Sequence, residues 1–461
     1  MTRRRPLLVS IGSAAVLAGC AAPPSRTPDE DDDTDDIPTD REVRDPDERE
    51  PWEREADERI VDHRTTSLEV VTSDSGGDPI SDVAIDVSMQ RHAFEFGTAV
   101  AEPRVVEDRS DDDPYWSALE TLFNAAVLEE RHKWNSWETE NERELAEEAT
   151  RRLLESGLDV RGHTVIWQHF GHDIIPEDVQ SVMEGNAENG EYLADRTAGH
   201  VENIVSHYDG ELVDWDLINE HLDHHAITES ISPENPPQEA PALVDWFEVA
   251  DAVSPDTPLF VNDYDIIVGD NEERRAEMDT LIGYLRWADA PVDGVGFQAH
   301  YDDADHAADG DELYELFERY GDGFDVDLRV TEYDTFGEGW TEEMEATNLY
   351  VVLKTAFSHP ATVGFHMWGF WDGEHWEDNA PLFREDWSEK PGYDVYTDLV
   401  FDEWWTDESG ATDEDGLYET LAFLGEYEVV VEGPDEETVT ESVSLTDPTS
   451  TERLEVELDV D

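Results

Sequence analysis

Lysine is nearly missing from this chain. Of 29 Lys+Arg residues, only Lys133, Lys354 and Lys390 are lysines, and they stand against 118 Asp+Glu. The formal net charge of the 461 residues is −89. A surface this poor in cations repels phosphate backbones, which excludes a nucleic-acid partner. It repels anionic lipid in the same way. Cysteine is scarcer still: Cys20 stands alone, so no intramolecular disulfide and no zinc cluster of several thiolates can form. No apolar run is long enough to span a bilayer. No GxGxxG follows the first apolar strand, which weakens a doubly wound dinucleotide-binding sheet.

What is present points to a folded, salt-adapted protein. Hydrophobic residues make up 38% and 15 residues are Trp, too many for a chain disordered throughout. Extreme acidity without lysine is a habit of proteins from saturated brine, where salt screens the self-repulsion. Most of the acids are therefore expected on a solvated surface. The question is which few do something else.

The first twenty residues read as an export signal. Arg3, Arg4 and Arg5 precede a short apolar stretch that ends in Leu17-Ala18-Gly19-Cys20, which resembles a lipobox. Paired arginines suit twin-arginine export, and Cys20 is the expected lipidation site. The protein is then secreted and held at the outer face of the cell membrane by lipid alone. Residues 21–59 are polar and include Asp29-Glu30-Asp31-Asp32-Asp33, so a disordered acidic tether is expected there.

The folded part divides into three. Residues 60–90 read as an N-terminal β segment, with strands near 67–71 and 83–87 around Gly76-Gly77-Asp78-Pro79. Residues 91–401 alternate apolar runs with amphipathic stretches. The runs fall at 94–100, 123–129, 159–167, 212–220, 258–265, 292–300, 327–334 and 361–369. Amphipathic stretches at 142–156, 191–206, 272–288 and 342–357 read as helices. Eight strand–helix units predict an α/β fold, a (β/α)8 TIM barrel. Residues 402–461 return to strand patterns at 423–431 and 454–458, and with 60–90 should form a small β appendage.

The apolar runs share a polarity. Each begins apolar and most end polar or aromatic: His163 and Trp167, Asn219 and Glu220, Asn262 and Tyr264, Gln298 and His300, Glu332 and Asp334, then Trp368. In a barrel all strand C-termini open on one face, so these side chains converge on one cleft. Glu220 and Glu332 each close an apolar strand, where a solvating acid has no reason to be. Two carboxylates across a cleft suit glycosidic cleavage, one donating a proton while the other meets the oxocarbenium-like carbon. Aromatic side chains beside them suit sugar faces. No metal or organic cofactor is required.

These motifs, in this order, resemble glycoside hydrolase family ten, the endo-β-1,4-xylanases. The matching pieces are Arg161 to Trp167, Trp215 to Glu220, Asn262-Asp263-Tyr264, Gly296 to His300, Thr331-Glu332, Trp368-Gly369 and His375-Trp376. The flanking β segments resemble the plant-type arrangement. The resemblance implies a retaining endo-acting hydrolase of xylan, with the polysaccharide as its partner; a monomer is expected. It implies Glu220 as general acid/base and Glu332 as nucleophile. It implies Asn219 on a sugar 2-hydroxyl, and His300 orienting Glu332 with Asp334 behind it. His163, Trp167, Tyr264 and Gln298 become substrate-binding residues, and Trp368 with Trp376 walls the glycone side. Glu129 and Lys133 fall at the second glycone sugar. Scarcity makes the same case for Lys133, since a compact ammonium donor on a sugar hydroxyl gives a reason to keep it.

Two positions depart from the family pattern. Glu130 stands where the family has Asn, which leaves a β-1,4-glucan as the alternative substrate. Gln168 follows Trp167 where a His that contacts the acid/base is common; it is expected to orient Glu220 without titrating. His221, His224 and His225 suggest a metal site, but no thiolate or spaced carboxylate accompanies them, so loop contacts over the cleft are expected instead. Asp302-Asp303-Ala304-Asp305 lacks the Gly-centred spacing of a calcium loop. Lys354, mid-helix, reads as a surface lysine kept by chance, and Lys390 has no evident chemistry. A non-catalytic sugar-binding lipoprotein on the same scaffold is the other class of function, and the two intact carboxylates weigh against it.

Overall fold

In the computed structural model each of the eight apolar runs contains a parallel strand. The structure describes residues 49–106, 113–171, 173–185, 189–433 and 438–459. Cys20 and the acidic stretch to residue 48 lie outside the described residues. Strands β1 (Thr65–Ser73) and β2 (Ala84–His92) come first. The barrel follows with β3 (Glu95–Val100), β4 (Ala125–Leu128), β5 (Asp159–Trp167), β6 (Trp215–Asn219), β7 (Leu259–Asp263) and β8 (Gly294–Phe297). A short β9 (His300–Asp303) precedes β10 (Asp327–Glu338) and β11 (Thr362–Met367). Neighbours pair in parallel around the ring, and β11 closes it on β3 through Gly364↔Glu95 and Phe365↔Phe96. This is a (β/α)8 TIM barrel. Beyond the ring, β9 pairs with the outer half of β10, Asp334 opposite His300.

The helices form where apolar residues recur at helical spacing. Glu140–Glu155 buries Ala146, Ala149 and Leu153. Glu272–Trp287 buries Met278, Leu281, Ile282 and Leu285, and the Asn271 side chain caps it by accepting from the Arg274 N–H. Glu342–Ser358 is capped in the same way by Thr341 on Met344 N–H.

The barrel interior carries charge as well as apolar side chains. Arg161 donates from Nε to Asp214 at 2.8 Å and from Nη2 to Asp216 at 2.7 Å. Arg329 reaches Glu95 at 2.6 Å and Asp214 at 2.7 Å. All these residues but Glu95 are at least nine-tenths buried, so pairing is what makes them tolerable there. A β-carbon on Gly364 would lie 2.1 Å from an Arg329 guanidinium nitrogen, so only glycine leaves room for that network.

One expectation is corrected at the N-terminus. The tether was expected to run to residue 59, but Pro51–Arg64 is a helix with a capping box at Glu50 and Glu53. Its apolar side is only Trp52, Ala56 and Ile60, so it looks like solvated chain by composition. Charges attach it to the barrel instead. Trp52 packs edge-on against Tyr350 at 6.1 Å, and Tyr350 donates to Glu53 at 2.9 Å. Arg59 lies 3.7 Å over the Tyr314 ring. Arg64 donates to the carbonyls of Phe357, His359 and Thr362. Lys354 is corrected with it: fully buried, its ammonium bridges Asp57 at 2.6 Å and Glu403 at 2.9 Å.

The strands outside the barrel interleave both ends of the chain. After the barrel come β12 (Asp407–Ala411), β13 (Leu417–Phe423), β14 (Gly425–Glu432), β15 (Thr438–Leu445) and β16 (Thr451–Glu457). One sheet runs β13-β1-β16 and the other β12-β2-β14-β15. Leu68, Val70, Ile85, Val87, Tyr427, Val429 and Val431 fill the space between them. Strands β1 and β2 are central, so the appendage needs both ends of the chain. Among the described residues no helix is long and apolar enough to cross a membrane.

Candidate active site

The strand ends converge as the barrel requires. Glu220 directly follows β6, and its backbone sits in the left-handed region at φ 52°. A non-glycine residue held there is strained, and surrounding contacts must over-determine it. Its N–H donates to the Asn262 carbonyl at 2.9 Å. Glu332 lies within β10 and is 4% exposed. Its N–H donates to the Gln298 carbonyl at 3.1 Å. Main chain therefore fixes both carboxylates before any side chain acts.

Three amides then link the two acids. Gln298 Nε2 donates to Glu220 Oε1 at 3.1 Å and approaches Asn219 Oδ1 at 3.3 Å. Asn262 Nδ2 donates to that same Asn219 oxygen at 2.9 Å and to Glu332 Oε1 at 2.7 Å. Thr331 donates to the Asn262 oxygen at 2.7 Å, which fixes the amide's orientation. Asn262 touches Glu332 directly. The sequence showed it as a polar strand end, and nothing in the pattern distinguished it from its neighbours.

The two carboxylates sit in different surroundings. Burial raises Glu220 above the usual carboxylate range; the Gln298 donor opposes this, the charge of Glu332 adds to it, and the Trp167 donor opposes it. Trp167 Nε1 donates to Glu220 Oε2 at 2.8 Å. On the other side His300 Nε2 lies 3.4 Å from Glu332 Oε2, and its Nδ1 is 2.7 Å from Asp334. Burial alone would lower His300, but Asp334 and then Glu332 overcome it and raise it to about 10. Burial opposes ionisation of Asp334, yet the His300 charge and its hydrogen bond hold it down at about 2. Trp376 Nε1 completes that group, donating to Asp334 at 2.7 Å.

His163 is held from below. Its Nδ1 is 2.9 Å from Asp216, the carboxylate that also takes Arg161, and 3.9 Å from Glu332. The barrel's internal ion network thus reaches the mouth through one imidazole. Trp368 meets the His163 ring edge-on at 5.2 Å. Trp376 is half exposed and packs edge-on against Phe336 at 5.0 Å, a cleft aromatic the sequence reading did not single out.

The loop after β4 carries Glu129, Glu130 and Lys133. The Lys133 ammonium is buried, 2.9 Å from Glu130 and 5.1 Å over the Trp167 ring. Burial pushes Glu129 up to about 7; Lys133 works against this, while Glu102 and Glu130 add to it. Lys390, at the start of the helix Pro391–Asp398, is also buried. It donates to Asp372, Asn379 and the Ala380 carbonyl, which ties down the loop carrying His375 and Trp376.

Some expected residues stand elsewhere. Gln168 does not orient Glu220. Strand alternation sends Trp167 into the cleft and Gln168 to the opposite side. There it accepts from the Thr228 N–H at 2.9 Å and donates to Thr228 Oγ1 at 2.8 Å. Tyr264 faces sideways, donating to Asp223 with Arg274 stacked 3.9 Å over its ring. The three histidines after Glu220 diverge. His221 is buried on the Pro237 carbonyl, His225 lies 3.7 Å from Glu229, and His224 points to Glu220 at 3.5 Å. Among the described residues no group of three metal-ligating side chains converges.

The chain is similar to known proteins over the barrel. Residues 85–399 match the model of glycosyl hydrolase family 10. The anti-sigma-I factor RsgI6 of Acetivibrio thermocellus is 27% identical over 80% of this chain, which spans 45% of that relative's length. Endo-1,4-beta-xylanase B of Thermotoga neapolitana is 27% identical over 63% of this chain and 84% of its own. The crystal structure of xylanase 10B from Thermotoga petrophila RKU-1 in complex with xylobiose superposes with a TM-score of 0.58. It covers 68% of this chain and 95% of its own at 22% identity.

Proposed function

The chain belongs to glycosyl hydrolase family 10, and we propose that it cleaves β-1,4-xylosidic bonds within xylan, retaining configuration by double displacement. The observation that carries this reading is the amide relay from Glu220 through Gln298, Asn219 and Asn262 to Glu332. It holds two carboxylates of unlike surroundings across one cleft.

Glu332 is the nucleophile. Asn262 and His300 aim its oxygens, and its attack on the anomeric carbon forms a glycosyl ester. Glu220 is the general acid. Burial and the neighbouring charge keep its proton available for the leaving oxygen. Once Glu332 is esterified its charge is gone, and Glu220 takes a proton from the water that releases the sugar. Asn219, with its oxygen committed to Asn262 and Gln298, has its amide N–H groups left for the sugar 2-hydroxyl. Lys133 with Glu129 serves the second glycone sugar, and Trp368 and Trp376 form the wall there. Retention calls for carboxyl groups about 5–5.5 Å apart.

Glu332→Gln should lower release of reducing ends from xylan by roughly 10 000-fold while sugar binding persists. A variant that keeps most of its activity overturns the assignment. Parallel assays on xylan and carboxymethyl cellulose decide between xylan and a glucan. The acid-rich composition supports a working medium of concentrated salt, so the assays belong there. Export and lipid anchoring at Cys20 are proposed on the leader pattern, and Cys20→Ser should move the protein from membrane to medium.

A further inference from the structure

We propose that His224 is a positioning residue for the acid/base, donating from Nε2 to Glu220 Oε2 whenever that carboxyl is ionised. The inference rests on the assignment of Glu220 made above. Glu220 has to be an acid in one step and a base in the next, and a donor on its ionised form adds to the effect of losing the Glu332 charge. Gln298 serves Oε1, and Trp167 serves Oε2 from the strand side. Gln168 is turned away on Thr228. From the loop after β6, His224 Nε2 stands 3.5 Å from Oε2. Catalytic hydrogen bonds in unliganded sites are commonly long and tighten when substrate arrives.

The loop holds this imidazole firmly. His224 N–H donates to the Glu220 carbonyl at 2.9 Å, one turn on from the acid itself. Leu222 N–H donates to Asp263 at 3.1 Å, which ties the loop to the end of β7. His169, from the loop after β5, meets the His224 ring edge-on at 4.5 Å and sets its plane. The His169 Nδ1 is itself fixed, since it accepts from Gly171 N–H at 3.0 Å.

Among the described residues, the charged groups beside the imidazole have partners of their own. On its own loop, Asp223 is committed to Tyr264 and, at 2.6 Å, to Arg274 of the helix Glu272–Trp287. His225 faces Glu229. Burial, then the charge of His169, holds His224 below its usual value, with Asp223 opposing and His225 and Arg274 adding. The imidazole is thereby biased towards its neutral form, which still carries one N–H to donate. Removing it takes away that N–H.

The proton count is unaffected. In the first step the Glu220 proton passes to the glycosidic oxygen as its bond to the anomeric carbon breaks and Glu332 bonds there. In the second a water proton passes to Glu220 as the water oxygen bonds to that carbon and Glu332 leaves. His224 exchanges nothing; it stabilises the carboxylate between the two.

The test is the pH profile of kcat/KM on xylan for the full chain in high salt. His224→Ala removes stabilisation of ionised Glu220, so the alkaline limb should move up by about half a pH unit. The kcat value should fall several-fold with KM nearly unchanged. His224→Gln, which keeps an N–H donor, should restore most of the wild-type limb. His224→Leu fills the space without a donor and reads the same shift if the alanine variant does not fold. An active wild type whose alkaline limb stays put in both donor-free variants overturns the inference, even if their melting temperatures fall. A wild type inert on xylan overturns the functional reading, and this inference with it.

Discussion

The barrel and the β appendage use the same acid-rich composition in opposite ways. In β1, β2 and β12 to β16 no Asp, Glu, Arg or Lys is buried, and the space between the sheets is apolar. In the barrel Arg161, Asp214, Asp216, Asp263, Arg329, Glu332 and Asp334 are all buried. Each has an oppositely charged or hydrogen-bonding partner. Acids of the appendage strands keep their water, whereas these buried acids of the barrel have exchanged it for fixed donors. The exchange is tolerable only where every partner is present, and it creates the differences in proton affinity that chemistry needs. The three lysines make the same point from the cationic side. Lys133, Lys354 and Lys390 are all buried and all paired with acids.

The comparison breaks most readily at Arg329. Arg329→Met leaves Glu95 without its cation inside the barrel and leaves Asp214 with Arg161 alone. The expected loss is about 3–5 kcal/mol in denaturant unfolding. A loss under about 1 kcal/mol would show that the interior network is dispensable.

A pH scan separates the regions next. His300 is raised to about 10, so it contributes stability fully below its unfolded value near 6.5 and loses it as pH climbs towards 10. Asp334 is depressed to about 2, so its contribution holds above the ordinary carboxylate range and disappears as pH falls towards 2. Between pH 7 and 10 the barrel should lose on the order of 2–3 kcal/mol. Asp334→Asn should flatten that slope. An unchanged slope in this variant would contradict the pairing.

The appendage answers to volume instead. Val429→Ala, in the middle of β14, should cost about 2 kcal/mol at any pH and salt. Lys354→Met should cost less, about 1–2 kcal/mol, because Asp57 and Glu403 keep partial contact with water. Its signature is local: the helix Pro51–Arg64 should become open to proteolysis before the barrel does. Protection equal to wild type would mean that the Arg64 contacts hold the helix alone.

The same contrast explains what was legible in the sequence. Barrel strands are buried on both faces, so they appear as apolar runs, and their polar ends mark the cleft. All eight were readable, and with them the two carboxylates. Charges inside the barrel were not, because Arg161 and Arg329 sit in strands whose partners lie dozens of residues away. The outer strands of the appendage were hidden for the opposite reason. Asp407–Ala411 is exposed at every position, and Thr438–Leu445 buries only its last residue. With no apolar alternation there is no period to read. The helix Pro51–Arg64 failed similarly, since ion pairs and cation–π contacts with distant residues hold it. His224 was visible only as one of three histidines, and the fold alone separates it from the other two.

The smallest effect is the sharpest test of the contrast. Glu455 on β16 is largely solvated and 3.4 Å from a half-exposed Arg453. If such acids serve solvation alone, Glu455→Gln removes one charge from a chain carrying −89 and relieves repulsion. The melting temperature should then rise slightly in dilute buffer, where the Debye length is about 30 Å at 0.01 M. It should be unchanged in molar salt, where that length is about 3 Å. Arg329→Met should lose its stability in both, because buried pairs are little screened. A salt response of the same size in the two variants would mean that barrel and appendage handle their acids alike.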